Sequence, residues 1–160
     1  MIVCKSAAEI EKMRRPARIV VQLLRETGEQ ARPGVTTLDL EKFVEKRVAQ
    51  LGAKPAFKGY RGYPCCLCAS VNEQIIHGIP SARRLQEGDI LSPDLGVVVE
   101  KYIGDSALTV PIGEISESSR RLMRVTQEAL ELAKHVKSDA ARLLSVDRNR
   151  LNYLCRKYNL

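Results

Sequence analysis

The sequence predicts an α+β fold, in which helices pack on an antiparallel sheet and a short helical tail follows. Apolar residues recur with helical spacing in three long stretches, whereas residues 89–113 alternate in the manner of a β-hairpin. The chain has 160 residues, of which 44 % are hydrophobic and 28 % are charged. This length and composition suffice for one ordinary domain with a buried core.

Two amphipathic helices are predicted at the start of the chain. In the first, Ser6 followed by Glu9 has the pattern of a capping box. Pro16 lies inside this helix and is expected to kink it or to split it in two, because proline lacks the N–H that the helix needs. After a turn at "RPGVTT", Thr37 is the expected N-cap of a second helix that ends at Gly52.

The middle of the chain predicts a loop, a strand and a hairpin. The loop "AKPAFKGYRGYPCC" is rich in Gly and Pro, and "LCASVNEQIIHGIP" has the pattern of a strand with a turn at Asn72-Glu73. The segment "DILSPDLGVVVEKYIGDSALTVPIG" predicts a hairpin that turns near Glu100-Lys101. Pro93 is awkward in a central strand, because proline cannot donate a hydrogen bond to the ladder.

The last third of the chain predicts helices and carries most of the basic charge. A long amphipathic helix, "SESSRRLMRVTQEALELAKHV", precedes a short helix capped by Ser138, a turn at Val146 and a final helix, "DRNRLNYLCRKY". The net charge is +7, and the segment from Lys134 to Leu160 holds seven bases against two acids. Such a segment either binds nucleic acid or forms a solvated basic helix.

Composition argues against a membrane protein and favours a cytoplasmic one. No apolar run approaches the ~20 residues that cross a bilayer, and the N-terminus has no apolar core of a signal peptide. Five cysteines without an export signal indicate free thiols in a reducing cytoplasm. Cys65, Cys66 and Cys68 are crowded, but no second Cys/His pair has zinc-ligand spacing, so a zinc site is not favoured there.

The segment from Ser70 to Thr109 suggests a metal site. It contains His77 and two aspartates, Asp94 and Asp105. Two divalent ions held close together need bridging carboxylates to offset their mutual repulsion, and they can then lower the pKa of a bridging water. A catalytic dimetal centre usually needs roughly five or six protein donors, so further donors have to come from elsewhere.

Residues 5 to about 132 resemble type I methionine aminopeptidases. The matching stretches occur in family order and near-family spacing: "EIEKMR", "RPGVTTLDLE", "GAKPAFKGYRGYPCCLCASVNEQIIHGIPS", "GDILSPDLGV", "YIGDSALT", "GEIS" and "RLMRVTQEAL". The resemblance implies half of a pita-bread fold over residues 1–126, with helices on a curved antiparallel sheet. In that family the metal pair lies between two related halves.

The resemblance also implies roles for individual residues. Asp94 and Asp105 match two metal carboxylates, whose hard oxygen donors suit manganese, iron or cobalt. His77 matches the histidine that contacts the substrate peptide and assists the transition state. The wall of the pocket that takes the N-terminal methionine of a nascent peptide matches Phe57, Tyr60, Tyr63 and Cys68.

The same resemblance leaves the metal centre incomplete. The family's further metal histidine and two metal glutamates have no match after Leu132, so only two of five ligand residues are found. Two carboxylates alone bind a divalent ion weakly, because water fills much of the coordination shell. Pro16 and Pro93 also replace the residue types usual in the family, which indicates relaxed constraint and leaves open that the two aspartates merely persist.

The tail resembles the helix-turn-helix of factor-for-inversion-stimulation type proteins and nitrogen-regulator activators. The stretch "VKSDAARLLSVDRNRLNYLCRKYNL" matches the core pattern, although Ser145 and Asn159 replace the usual glycines. This domain would span residues 119–160 and share the helix at 119–136 with the peptidase half. It would present polar and basic side chains to duplex DNA: Arg148, Asn149, Arg150, Asn152, Arg156 and Lys157.

Three interpretations of function stay open at this point. The first is a truncated methionine aminopeptidase-like metalloenzyme, inactive alone unless a partner supplies the other ligands. The second is a DNA-binding protein that uses the tail, with the half-peptidase as scaffold or dimerisation module. The third is either a product of truncation and fusion that has no function or a chain engineered to test whether half of the fold is stable alone. A homodimer is expected, because half of the fold would expose an apolar face and a strand edge.

Overall fold

Helices α1 and α2 pack on one five-stranded antiparallel sheet in the computed structural model, which describes residues 4–134 together with 139, 142 and 143. The helices are α1 (Ala7–Gln30), α2 (Thr37–Gln50) and α3 (Glu117–Leu132), with a 3-10 turn at Tyr60–Gly62. The strands are β1 (Lys54–Pro55), β2 (Leu67–Val71), β3 (Ile90–Val99), β4 (Tyr102–Ala107) and β5 (Val110–Pro111). The predicted α+β class is confirmed.

Strand β3 is the centre of the sheet, with β1 and β2 on one side and β4 and β5 on the other. Strands β4 and β5 pair with β3 in a single continuous register. Between them Leu108 donates its N–H to the carbonyl of Pro93 at 3.0 Å, but Pro93 has no N–H to return. The proline therefore lies in a central strand after all, and its missing donor separates β4 from β5.

The two faces of the sheet have different chemistry. Leu91, Leu95 and Val97 of β3 belong to the buried core together with residues of α1 and α2. Because side chains alternate along a strand, Asp94 and Gly96 point to the opposite face, on which neither α1 nor α2 packs. We call this second face, which carries Cys68, Asp94, Gly96 and Asp105, the open face of the sheet.

Helix α1 is continuous through Pro16. Its N-terminus has the predicted capping box between Ser6 and Glu9. Pro16 is buried, and a Cβ added to Gly104 of β4 would lie 2.5 Å from the carbonyl carbon of Pro16. The prediction that Pro16 splits the helix is wrong, because close packing of this turn against the backbone of β4 stabilises the helical path.

Helix α2 begins one residue earlier than predicted. The N-cap is Thr36, whose hydroxyl accepts a hydrogen bond from the N–H of Asp39 at 3.1 Å, and the helix ends at Gln50. Thr37 is buried instead. Its hydroxyl donates to the carbonyl of Ser81 at 3.1 Å and accepts from the Ser81 N–H at 2.9 Å. Thr37 therefore anchors the helix to the segment before β3 and does not cap it.

The remaining local predictions are confirmed at the turns and corrected at two element ends. Strand β2 ends at Val71, so residues 74–80 do not continue the predicted strand, and α3 ends at Leu132, four residues before the predicted end of that helix. Asn72 and Glu100 have φ of +52° and +57° at the two predicted turns, and Ser116 caps α3. No helix in the described ranges is long and apolar enough to cross a membrane. The expected features at Ser138, Val146 and the final helix lie outside the described residues, so the boundaries 1–126 and 119–160 stay predictions.

Candidate functional site

The two aspartates lie close together on the open face. Asp105 of β4 pairs directly with Gly96 of β3, which is two residues beyond Asp94 and on the same face. The two aspartates are therefore diagonal neighbours on adjacent strands. The Cβ atoms of such neighbours lie roughly 7 Å apart. On the other side of β3, Cys68 of β2 pairs directly with Asp94. Two adjacent strand pairs thus bring three of the sequence-predicted residues onto one patch.

The environment of Cys68 favours a neutral thiol. Cys68 is 3 % exposed, whereas Asp94 is half-buried and Asp105 is exposed. The pKa of Cys68 is raised to about 11, chiefly by burial and in smaller part by the charges of Asp94 and Asp105, while a hydrogen bond with Tyr63 acts to lower it. Since the thiolate is the metal-binding form of cysteine, Cys68 is better suited to line a pocket than to bind a metal.

The donor set of the patch fits a divalent ion in chemistry but not in number. The carboxylates of Asp94 and Asp105 are hard oxygen donors, the type that manganese, iron and cobalt accept. Within the part of the chain that the structure describes, no group of three or more His, Cys, Asp or Glu is placed to hold a metal. Two carboxylates on one face are therefore what residues 4–134 contribute.

Gly96 makes room for Phe57 beside the carboxylates. A Cβ added to Gly96 would lie 2.9 Å from Cε1 of Phe57 and 3.2 Å from Cβ of Ala56. The N–H of Ala56 donates to the carbonyl of Gly96 at 2.9 Å, which holds the loop on β3. Sequence reasoning missed Gly96, although a glycine inside a strand often marks the close approach of another group.

The position of His77 is fixed by hydrogen bonds between the backbone of Gly78 and strand β2, which we call the clamp. The carbonyl of Gly78 accepts from the N–H of Ala69 at 2.8 Å, and its N–H donates to the hydroxyl of Ser70 at 3.1 Å. A Cβ on Gly78 would lie 2.5 Å from the carbonyl oxygen of Ala69, so only glycine allows this approach. His77 precedes the clamp with φ of +58° and an exposed side chain. Gly78 and Ser70 were not identified from the sequence.

Tyr63 and Tyr60 have different surroundings. The single proton of the Tyr63 hydroxyl is shared between the carbonyls of Leu67 at 2.9 Å and Gly78 at 3.3 Å, which joins its loop to the clamp. Burial, followed by the hydrogen bond with Cys68, raises the pKa of Tyr63, so this hydroxyl stays a donor. Tyr60 is 64 % exposed, and the guanidinium of Arg61 lies 5.5 Å from its ring centroid.

Glu41 fixes the start of β2 and was also missed by the sequence analysis. This buried carboxylate of α2 accepts hydrogen bonds from the N–H groups of Cys66 at 2.7 Å and Leu67 at 2.9 Å. Burial, and next the charge of Glu41, raises the pKa of Cys66 to about 12. Cys65 and Cys66 are free thiols here, and the prediction against a zinc site stays a prediction. The six predicted DNA-binding residues, from Arg148 to Lys157, lie outside the described residues.

Comparisons with known proteins identify close relatives. The sequence model of metallopeptidase family M24 matches residues 11–159. The methionine aminopeptidase of Clostridium acetobutylicum is 48 % identical over 130 residues, which cover 81 % of this chain and 52 % of that protein. Methionine aminopeptidase 1 of Bacillus subtilis is 43 % identical over 130 residues, which again cover 81 % of this chain and 52 % of the relative.

The fold agrees with these relatives. The crystal structure of methionine aminopeptidase from Thermotoga maritima has a TM-score of 0.79 and 44 % identity, and the match covers 83 % of this chain and 54 % of that one. This similarity confirms the predicted pita-bread fold. The chain spans about half the length of the curated relatives that it matches.

Proposed function

This chain belongs to metallopeptidase family M24, and we propose from that premise that it carries one part of a methionine aminopeptidase-type metal centre. The placement of Asp94 and Asp105 as diagonal neighbours on the open face supports the proposal most strongly. In it, the two carboxylates bind manganese, iron or cobalt. Such ions supply a water of lowered pKa as a nucleophile at neutral pH.

The surroundings of the carboxylates suit an N-terminal methionine as substrate. Phe57 lies against Gly96, and the neutral thiol of Cys68 adds a second soft surface beside Asp94. A thioether side chain packs well against aromatic rings and sulfur. In this proposal Tyr63 holds the loop, Tyr60 forms the outer rim, and His77 binds the peptide backbone. The free thiols of the four described cysteines fit the reducing cytoplasm where nascent peptides are made.

These 160 residues alone are proposed to lack peptidase activity. By resemblance, three of the five metal-ligand residues have no match in the chain. A pair of carboxylates leaves most of the coordination shell to water, so a bound ion is held weakly and its nucleophile is poorly positioned. The proposal concerns this polypeptide by itself and not an assembly in which another chain supplies donors.

We expect no release of methionine when the purified chain is incubated with a Met-Gly peptide and an excess of manganese, cobalt or anaerobic ferrous iron. The measurement is chromatographic detection of free methionine against a blank that contains metal but no protein. The whole methionine aminopeptidase of Clostridium acetobutylicum serves as the positive control. Release that disappears in Asp105→Ala would show that the chain completes a centre by itself.

DNA binding by the tail is the second candidate function. The observation that favours it is the concentration of charge, with seven bases against two acids between Lys134 and Leu160. The family match also runs through this segment to residue 159, so the same residues have a second interpretation as part of the peptidase. If the tail binds DNA, replacing single basic side chains should weaken DNA binding. If the tail is part of the peptidase, these replacements should have no such effect.

Replacing Arg150 in the full chain is expected to weaken binding to a preferred duplex by about 10-fold or more and to relax sequence preference, because the start of a recognition helix meets base edges. Lys157→Ala should instead weaken all sequences alike and reduce the salt dependence, since it would lie nearer the phosphates. Fluorescence anisotropy with genomic fragments at several salt concentrations measures both effects. Equal binding by the full chain and a chain ending at Lys137, or binding by neither, would exclude the DNA function.

A further inference from the structure

The two edges of the sheet are protected very differently. On β2 the outward N–H groups of Leu67, Ala69 and Val71 all have partners outside the sheet. These partners are the Glu41 carboxylate, the Gly78 carbonyl and the Gln74 side chain. The carbonyls of Leu67 and Val71 accept from Tyr63 and from the N–H of Gln74. This edge therefore has no room for another strand.

The edge formed by β4 is open. Alternate residues of β4 direct their backbone N–H and C=O groups toward β3. The hydrogen bond from Leu108 to Pro93, together with the register, shows that these are Tyr102, Gly104 and Ser106. The backbone N–H and C=O groups of Ile103, Asp105 and Ala107 therefore point outward, away from the sheet. Among the described residues, β4 pairs with β3 alone, and no backbone group from outside the sheet bonds to Ile103 or Ala107. Ile103 is 57 % exposed. A strand edge of this kind is a template for a further strand.

We propose that β4 pairs antiparallel with β4 of a second copy of this chain, and that divalent metal bound by Asp94 and Asp105 stabilises the pair. The inference rests on the proposed metal role of these two aspartates. An antiparallel edge can pair with its own copy about a two-fold axis, because each copy offers the same groups. When the two-fold axis passes between the two Asp105 residues, Ile103 of one copy lies opposite Ala107 of the other. The backbone N–H and C=O groups of all three residues point outward, so they can form the hydrogen bonds of the new pair.

Charge makes the pairing depend on metal. In this register the two Asp105 side chains lie directly opposite one another, and like charges so placed destabilise a strand pair. Two copies bring four carboxylates onto one continuous face, and their combined charge matches that of two divalent cations. Each cation then gains protein oxygens in positions that a single copy leaves to water. The same ions that a single chain binds weakly would therefore be bound more tightly by the dimer.

The test is the solution mass of the full chain at micromolar concentration with EDTA and with manganese at about 1 mM, alongside manganese binding measured by electron paramagnetic resonance. The expected mass is that of the 17.9 kDa monomer in EDTA and twice that value in manganese. Hydrogen exchange of the Ile103 and Ala107 amides is expected to slow at least 10-fold when manganese is added to the wild-type chain, because these N–H groups enter the new strand pair.

Two variants at one position separate edge pairing from metal binding. Ala107→Pro removes the outward N–H and is tolerated in an edge strand, so it should bind manganese but stay monomeric. Ala107→Ser keeps the N–H and should still dimerise. Asp105→Asn should lose both metal binding and dimerisation. Manganese binding at an unchanged monomer mass would overturn the inference and leave the proposed metal site intact.

Other outcomes also decide the question. Equal dimerisation in EDTA and manganese, or unchanged amide exchange at Ile103 and Ala107, would show that metal and β4 pairing are not linked. Dimerisation of Ala107→Pro as tight as that of Ala107→Ser would place the interface elsewhere. Absence of manganese binding by the wild-type chain would overturn the proposed function and, with it, this inference.

Discussion

Replacing Gly104 with alanine is expected to destabilise the chain by about 3 kcal/mol, the upper part of the range for overpacked buried sites. The new Cβ would lie 2.5 Å from the carbonyl carbon of Pro16, 2.6 Å from its oxygen and 2.7 Å from the nitrogen of Ala17. All three are backbone atoms of α1, which cannot turn aside as a side-chain end could. The helix would have to move away from β4, and the core beneath it would loosen.

Thermal unfolding followed by circular dichroism measures this effect, and a loss of roughly 10 °C in Tm is expected for a chain of this size. Gly28→Ala is the matched control, because its Cβ would meet only the Cγ1 end of the Val110 side chain at 3.1 Å. Alanine is also the better helix former at that position in α1. If the two variants unfold at the same temperature, the close contact between Pro16 and Gly104 does not hold α1 on the sheet.

Local signals in the sequence predict local structure well in this chain. Ser6 and Glu9 cap α1 as expected, and the hairpin turns at Glu100, where alternation of apolar residues breaks. These features depend on neighbours within a few residues, which the sequence displays directly. The error of one residue at Thr36 arises because Thr37 has the same side chain and is engaged by Ser81, 44 positions away in the chain.

Proline rules are less reliable where distant packing intervenes. Pro16 was expected to kink α1 or to split it in two, but the turn that contains it lies against Gly104 of β4 and α1 continues as one helix. Pro93 was expected to be awkward in a central strand, and it is found there at a cost to the ladder, since β4 and β5 separate beside it. The sequence predicts the missing N–H in both cases but not which contacts compensate for it.

The sequence pointed to the charged residues of the candidate site, whose role stays a prediction, and gave no sign of the residues that support them. Asp94 and Asp105 stand out because two carboxylates follow a histidine in one short segment, and the resemblance assigns them a role. Gly78 and Gly96 act through the absence of a side chain, which only the approaching group reveals. Glu41 acts through backbone N–H groups 25 and 26 residues away, and no periodicity marks such a partner.

The central claim is that Asp94 and Asp105 together form the metal-binding end of this half of the M24 fold. Complete loss of site-specific metal binding is therefore expected when either carboxylate becomes an amide. Asn keeps the size of Asp and removes the charge that holds a divalent ion. Glu11→Gln is the matched control, because this exposed acid of α1 pairs with Arg14 and lies on a helix that covers the other face of the sheet.

Manganese titration followed by amide NMR of the full chain tests the claim most directly, since the unpaired electrons of manganese broaden the signals of nearby nuclei. We expect the amides of residues 94–96 and 105–107 to broaden first in the wild-type chain and in Glu11→Gln. We expect no such broadening in Asp94→Asn or Asp105→Asn at the same manganese concentration. Broadening centred elsewhere in the chain, or broadening at β3 and β4 that persists in both Asn variants, would contradict the account.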